Sequence, residues 1–328
     1  MGSADDSSAQ IADKAAERLN EIKRTGISKA AAERYIDAEN IDITKASDDI
    51  RQDIARDLSD EEVDSLICEY KYGGNVTINY HVIMGMNSNA LSTVADRCRD
   101  RIDRKEDIEG FHEPYFANSE EINNRLYVSF GYLVPQTSTD PSTGYENEKI
   151  STGRCVVVIS DEENLIEVRG SNDTACRKAR DKIAESIGIN REENVYRPDF
   201  SATFQDELEE SIEKYYHMQI RVDEEEGSTV DSVSYTASTD SSEKRKDARE
   251  DPRVKRDLNS HGGEVMMGYV ELKGDLKFHL NRKASRLSFM RDEREQVLNE
   301  ITGLIHNVLR RTGGYKQRQL EQLQHVPE

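Results

Sequence analysis

Tryptophan is absent from this sequence, and only six prolines and four cysteines occur in 328 residues. Apolar residues make up 35% of the chain, and none of their runs approaches the roughly 18 residues that a helix needs to cross a bilayer. That excludes a helical membrane span. The start, Met1-Gly-Ser-Ala-Asp-Asp-Ser-Ser, lacks a cationic segment leading into an apolar one, so we expect a cytoplasmic protein. Cys68, Cys98, Cys155 and Cys176 are separated by 30, 57 and 21 positions, with no C-x-x-C and no neighbouring histidine. Metal ligation needs clustered donors, so they read as small buried residues. The histidines are equally scattered, and neither a metal site nor a cofactor is expected. No P-loop, G-x-G-x-x-G, H-E-x-x-H or G-x-S-x-G occurs, which disfavours nucleotide hydrolysis and dinucleotide redox chemistry.

Charge is abundant: 65 Asp+Glu against 45 Lys+Arg give a net charge of -20. The carboxylates are spread along the chain, not gathered in a tail, and Arg outnumbers Lys by 28 to 17. This composition resembles that of extreme halophiles, and a haloarchaeal cytosol is the expected setting. In molar salt the Debye length shrinks to about 3 Å, so a negative total does not exclude nucleic acid as a partner.

Ile11, Ala15, Leu19 and Ile22 recur at helical spacing, and further amphipathic stretches follow at 28–38 and 47–58. Ser59-Asp-Glu-Glu is a capping box opening a helix through Tyr70. Beyond Gly73-Gly74 the period changes to two. Strands are expected at 75–84, at 125–134 (stopped by Pro135), and as a hairpin at 154–160 and 165–169. Helices are expected at 89–104 and from Asn172 or Asp173 onward, and 137–148 reads as a loop. Downstream, a helix at 205–215 precedes strands at 218–222, 230–237, 264–272 and 276–280, a short strand around Leu287 and Phe289, and a closing helix.

The expected fold is therefore α+β: a helical domain to residue 73, a first sheet-plus-helix repeat over 74–190, and a second over 191–316. The second repeat carries a polar insert at 238–263, and a polar tail occupies 317–328. Duplication would give one antiparallel sheet with helices on one face. The unit Cys155 to Ser186, hairpin then Ala-rich helix, resembles the repeat of TATA-binding-protein-like folds and implies a saddle. The passage Leu58-Ser-Asp-Glu-Glu-Val-Asp-Ser-Leu-Ile-Cys-Glu-Tyr-Lys-Tyr, a helix delivered into a strand, resembles the CENP-N kinetochore family. That resemblance implies chromosome or plasmid segregation and DNA association, with the helical domain available to protein partners.

Local charge names the candidate site. Residues 271–318 hold 11 Lys+Arg against 6 Asp+Glu. Lys277, Arg282, Lys283 and Arg286 lie on or beside strands, Arg310, Arg311, Lys316 and Arg318 lie at or beyond the end of the last helix, and Phe278, Phe289 and Tyr315 are interleaved. Cationic side chains on phosphates would position a duplex or another polyanion. Lys277, Arg282, Lys283 and Arg286 are expected on one exposed face, with Phe278 and Tyr315 as added contacts. The alternative is a solvated face, with the two arginines at the helix end satisfying its dipole. The leading function is a non-enzymatic DNA-associated binding protein. A metal-dependent nuclease built on Glu271 and Lys273 with Asp199 upstream is the second reading, and a protein scaffold the third.

Overall fold

The computed structural model describes residues 4–73, 76–86, 89–139, 146–160, 164–222, 232–238, 246–259, 263–273 and 276–315. It falls into two compact units, one formed by residues 1–76 with 289–304 and the other by 77–288 with 305–328.

The first unit is helical: α1 Ala4–Arg24, α2 Lys29–Glu39, α3 Ile50–Asp57 and α4 Asp60–Tyr70. Its core joins Ile22, Ala31, Ala32, Tyr35, Ile54 and Leu66, all nearly inaccessible to water. Side chains stop the orphaned amides at the helix starts. Ser28 accepts from Ala31 N–H and Asp49 from Arg51 N–H. The capping box at Ser59 and Glu62 is formed in both directions, as its sequence signature predicts. Arg294, from the later segment of this unit, pairs with Glu39 at 3.0 Å and Glu69 at 3.1 Å and lies over the Tyr35 ring.

Among the described residues, the second unit is built on an open antiparallel sheet of eleven strands: β1 Thr77–Ile83, β2 Tyr115–Ile122, β3 Arg125–Thr139, β4 Glu146–Ser160, β5 Leu165–Arg169, β6 Val195–Tyr196, β7 Ile212–Arg221, β8 Ser232–Thr236, β9 Glu264–Leu272, β10 Leu276–Asn281 and β11 Arg286–Phe289. The strand order is β2-β3-β4-β5-β1-β11-β10-β9-β7-β8, with β6 paired to β1. Helices α5 Leu91–Arg101, α6 Asp173–Ser186, α7 Arg191–Asn194, α8 Ala202–Glu209 and α9 Pro252–Asn259 belong to this unit, and α10 Glu295–Thr312 begins in the later segment of the first unit and ends in the second. No helix among the described residues is long and apolar enough to cross a membrane.

The fold is thus α+β with N-terminal helices. Both stretches end as hairpin then helix, β4-β5-α6 and β10-β11-α10. Strand order is not repeated: β1 lies beside β5, the last strand of its half, whereas β7 lies beside β9 and β8 and leaves β11 to pair with β1. That one pairing fuses the halves into a single sheet.

The side covered by helices changes along the sheet. In the first half, Ile83, Val157, Ile166 and Val168 join Val94, Ala175, Ala179 and Ile183 of α5 and α6 in one core. Asn79 and His81 lie on that same face, because alternate residues of a strand share a side. Tyr80 points to the opposite face and meets Phe200, which stacks on Phe204 of α8 at 4.1 Å. On that opposite face Tyr215 donates to Glu209 of α8, and Tyr235 donates to Asp257 of α9. Helices α5 and α6 therefore pack on one face of the sheet and α8 and α9 contact the other, where the expectation had the helices on a single face.

Three details depart from the sequence reading. β3 runs through Pro135, which pairs with Ile150, so much of the expected 137–148 loop is the arms of a long hairpin. β2, an edge strand of mixed polarity, has no alternating signal to read. The helix expected to reach residue 215 ends at Glu209, and β7 begins at Ile212. Of the cysteines, Cys98, Cys155 and Cys176 are buried, and Cys68 is exposed.

Candidate anion-binding pocket

At the start of α6, a cavity of about 250 Å³ is lined by Asn79, His81, Asp173, Cys176, Arg177, Arg180, Arg197 and Arg286, together with Thr174. Four arginines and one carboxylate line it, with Arg286 paired to Asp173 and Arg180 to Asp181 just outside the lining, in a chain whose net charge is -20. β1 and β11 supply the floor. Their antiparallel register sets Asn79 opposite Arg286, and the Arg286 Nε donates to Asn79 Oδ1 at 2.7 Å while its guanidinium pairs with Asp173 at 2.8 Å. α6 supplies the wall. Asn172 caps it by accepting from Ala175 N–H, and Arg177 and Arg180, three apart, emerge on neighbouring positions of the helix.

His81 is buried beside Arg180, whose Nη1 lies 3.1 Å from His81 Nδ1. A guanidinium can only donate, so Nδ1 is the acceptor and the neutral ring carries its proton on Nε2. Asp181 holds the other edge of the Arg180 guanidinium at 2.5 Å and also pairs with Arg191 at 3.1 Å. The pocket thus combines fixed cations, an imidazole and an amide near the positive end of a helix. Such a set can receive a tetrahedral or planar oxyanion through charge-assisted hydrogen bonds.

A larger neighbouring cavity of about 390 Å³, which Asp181 also lines, carries acidic and basic side chains in equal number. Its Lys178, Lys182 and Arg191 are matched by Glu113, Asp103 and Asp181 at 2.5, 2.8 and 3.1 Å, a self-neutralised network.

The sequence-named cations do not form one surface. Arg282 is buried: its guanidinium donates to the carbonyls of Phe200 and Val265, to Gln205 Oε1 at 2.8 Å and to Glu264 at 2.6 Å. It fastens the β10–β11 turn and corrects the expectation of an exposed role. Lys277 lies 3.4 Å from Glu271 and over the Tyr216 ring, Lys283 is exposed on the turn, and Arg286 enters the pocket. Arg310 donates to His306 Nε2 at 2.8 Å, and Arg311 lies 3.5 Å from Glu207. Lys316 and Arg318 fall outside the described residues. Phe278 is fully buried and is a core residue, whereas the Tyr315 hydroxyl meets His306 at 2.6 Å.

Arg177, Arg180, Arg197 and His81 were not legible as a site. They come from three separated segments, and the adjacent Asp173 and Asp181 mask the arginines in any local charge count. The Arg-x-x-Arg spacing on α6 is the one signal available. Glu271, proposed for metal chemistry, is buried and accepts from the Tyr216 hydroxyl, and Lys273 is exposed at the end of β9. Among the described residues, no group of three or more His, Cys, Asp or Glu is placed to hold a metal ion. No protein-family model and no curated protein matches the chain.

Proposed function

We propose that this chain is a non-enzymatic polyanion-binding protein, associated with DNA, that takes a phosphate of the ligand into the pocket at the start of α6. The observation that carries the reading is the convergence of Arg177, Arg180, Arg197 and Arg286 on one cavity beside a buried histidine and amide. An arginine fork matches a phosphate in geometry as well as charge. A segregation role draws only on the CENP-N resemblance of residues 58–72, with the helical unit as the seat for protein partners.

Fluorescence anisotropy with a labelled oligonucleotide over a KCl series tests the proposal. Each phosphate contact on a single strand contributes about 0.7 to the log–log salt slope. The double variant Arg177→Gln, Arg197→Gln, which weakens the hold on that one phosphate, is expected to flatten the slope by up to about 0.7 and weaken binding. An unchanged slope would refute the pocket. Cleavage of the same oligonucleotide in Mg²⁺, lost in Glu271→Ala, would replace the binding function with the nuclease one.

A further inference from the structure

The face of the sheet that α5 and α6 cover in the first half carries a different population in the second. Cross-strand register places His279 opposite Tyr269, Lys277 opposite Glu271, and Asn281 opposite Met267 on β10 and β9. β7 adds His217 opposite Tyr269 and Gln219 opposite Met267, and β8 adds Thr236 and Ser234. A bulge between Tyr215 and His217 re-aims Tyr216 onto this face, where its ring lies 5.5 Å from that of Tyr269. Tyr269 and His279 are stacked at 4.6 Å with 23° between their planes. His279 and Met267 are exposed, and Tyr216, His217 and Tyr269 are partly so. The contacts of α8 and α9 described above are with the opposite face.

A sheet face that lies against water ordinarily carries small polar or charged side chains. Here four rings, those of Tyr216, His217, Tyr269 and His279, and a methionine share it, and Lys277 Nζ sits 5.2 Å from the Tyr216 centroid. Its charge also departs from that of the chain. The carboxylates Glu271 and Glu264 are each paired, with Lys277 at 3.4 Å and Arg221 at 2.8 Å. Lys214 and Arg286 lie on the same face, paired with Glu213 at 4.0 Å and Asp173 at 2.8 Å. The strip is continuous with the arginine pocket, since Arg286 belongs to both and β10 and β9 are the next strands over. At the usual spacing of about 4.8 Å, Tyr269 lies roughly 10 Å across the sheet from β11.

We infer that this strip stacks unpaired bases, so that the ligand is a single-stranded nucleic acid whose phosphate occupies the arginine pocket and whose next bases lie on His279, Tyr269 and Tyr216. The inference rests on the proposed pocket and names its ligand class. Flat rings on an open sheet beside fixed cations suit a base-and-phosphate chain, because every base has a face to stack while a paired duplex hides those faces. Inorganic polyphosphate would satisfy the arginines and gain nothing from the rings.

The test uses the full chain and three labelled 12-mers: thymidine, abasic with the same number of phosphates, and a duplex. The thymidine strand is expected to bind about tenfold or more tightly than the abasic one, and more tightly than the duplex. Tyr269→Ala with His279→Ala should remove that advantage and leave abasic binding unchanged, while Tyr269→Phe, which keeps the ring, should retain it. Equal affinity for thymidine and abasic strands, or preference for the duplex, overturns the inference and leaves the pocket standing. Insensitivity of all strands to Arg177→Gln, with the thymidine advantage still lost in the double alanine variant, overturns the pocket instead. Uridine and 2′-deoxyuridine 12-mers, which differ only in the 2′-hydroxyl, separate the two sources of single strand, the tighter sugar naming the ligand.

Discussion

Arg282 shows how a cation changes meaning with burial. Its guanidinium satisfies two carbonyls, an amide and a carboxylate in a dry environment, so removal leaves acceptors unpaired. Arg282→Ala is expected to lower unfolding stability by about 3 kcal/mol in urea titration, with the salt slope of oligonucleotide binding unchanged. His306 carries a pH signature. Burial and the Arg310 charge push its pKa down to about 4, and Nε2 accepts from Arg310. The folded state thus binds its proton later than the unfolded chain, whose histidine titrates near 6.5. Its contribution is fully present above that pH and lost as pH falls toward 4. The urea midpoint should drop across this window, and the drop should shrink in His306→Gln. Asp49, held near 2 by the hydrogen bond from Arg51, acts only below about 4 and is separable from it.

At the scale of elements, two cross-strand glycines hold the outer strands in register. A Cβ at Gly131 would stand 2.3 Å from the Tyr115 ring, and one at Gly153 equally close to the Tyr132 ring. Each tyrosine lies directly opposite its glycine and folds over it, filling the space that glycine leaves. Gly153→Ala must displace a buried ring and is expected to cost about 1–3 kcal/mol, read from the thermal transition. The helix caps behave differently, since their partners lie within one turn. Ser59→Ala should cost about 1 kcal/mol. This asymmetry explains what was legible: the Ser59–Glu62 box and the alternation of β1 are local and could be read, whereas β3 beyond Pro135 exists because β4 pairs with it.

For the whole molecule, 65 acidic side chains against 45 basic ones repel one another across a surface that added salt screens. The thermal midpoint is therefore expected to rise between 0.1 and 1 M KCl, and a flat or falling midpoint would argue against the halophilic setting. Screening of the same order would weaken the proposed phosphate contacts and leave the proposed stacking as the salt-tolerant part of any oligonucleotide affinity.

Composition and periodicity by themselves determined the absence of a long apolar helix, the helical start, the change to period two after Gly73 and the hairpin-then-helix endings. Each depends on neighbours within a few residues, where spacing encodes which side is apolar. Tertiary structure alone decided that β11 pairs with β1, that helices cover opposite faces in the two halves, and that Arg282 is buried while Arg286 is not. It also brought Arg177, Arg180, Arg197 and His81 to Arg286. Those outcomes depend on which strand edge closes on which across more than a hundred residues. One-residue shifts in such pairing exchange the two faces of a strand, so the local pattern supplies candidates for a site and the register selects among them.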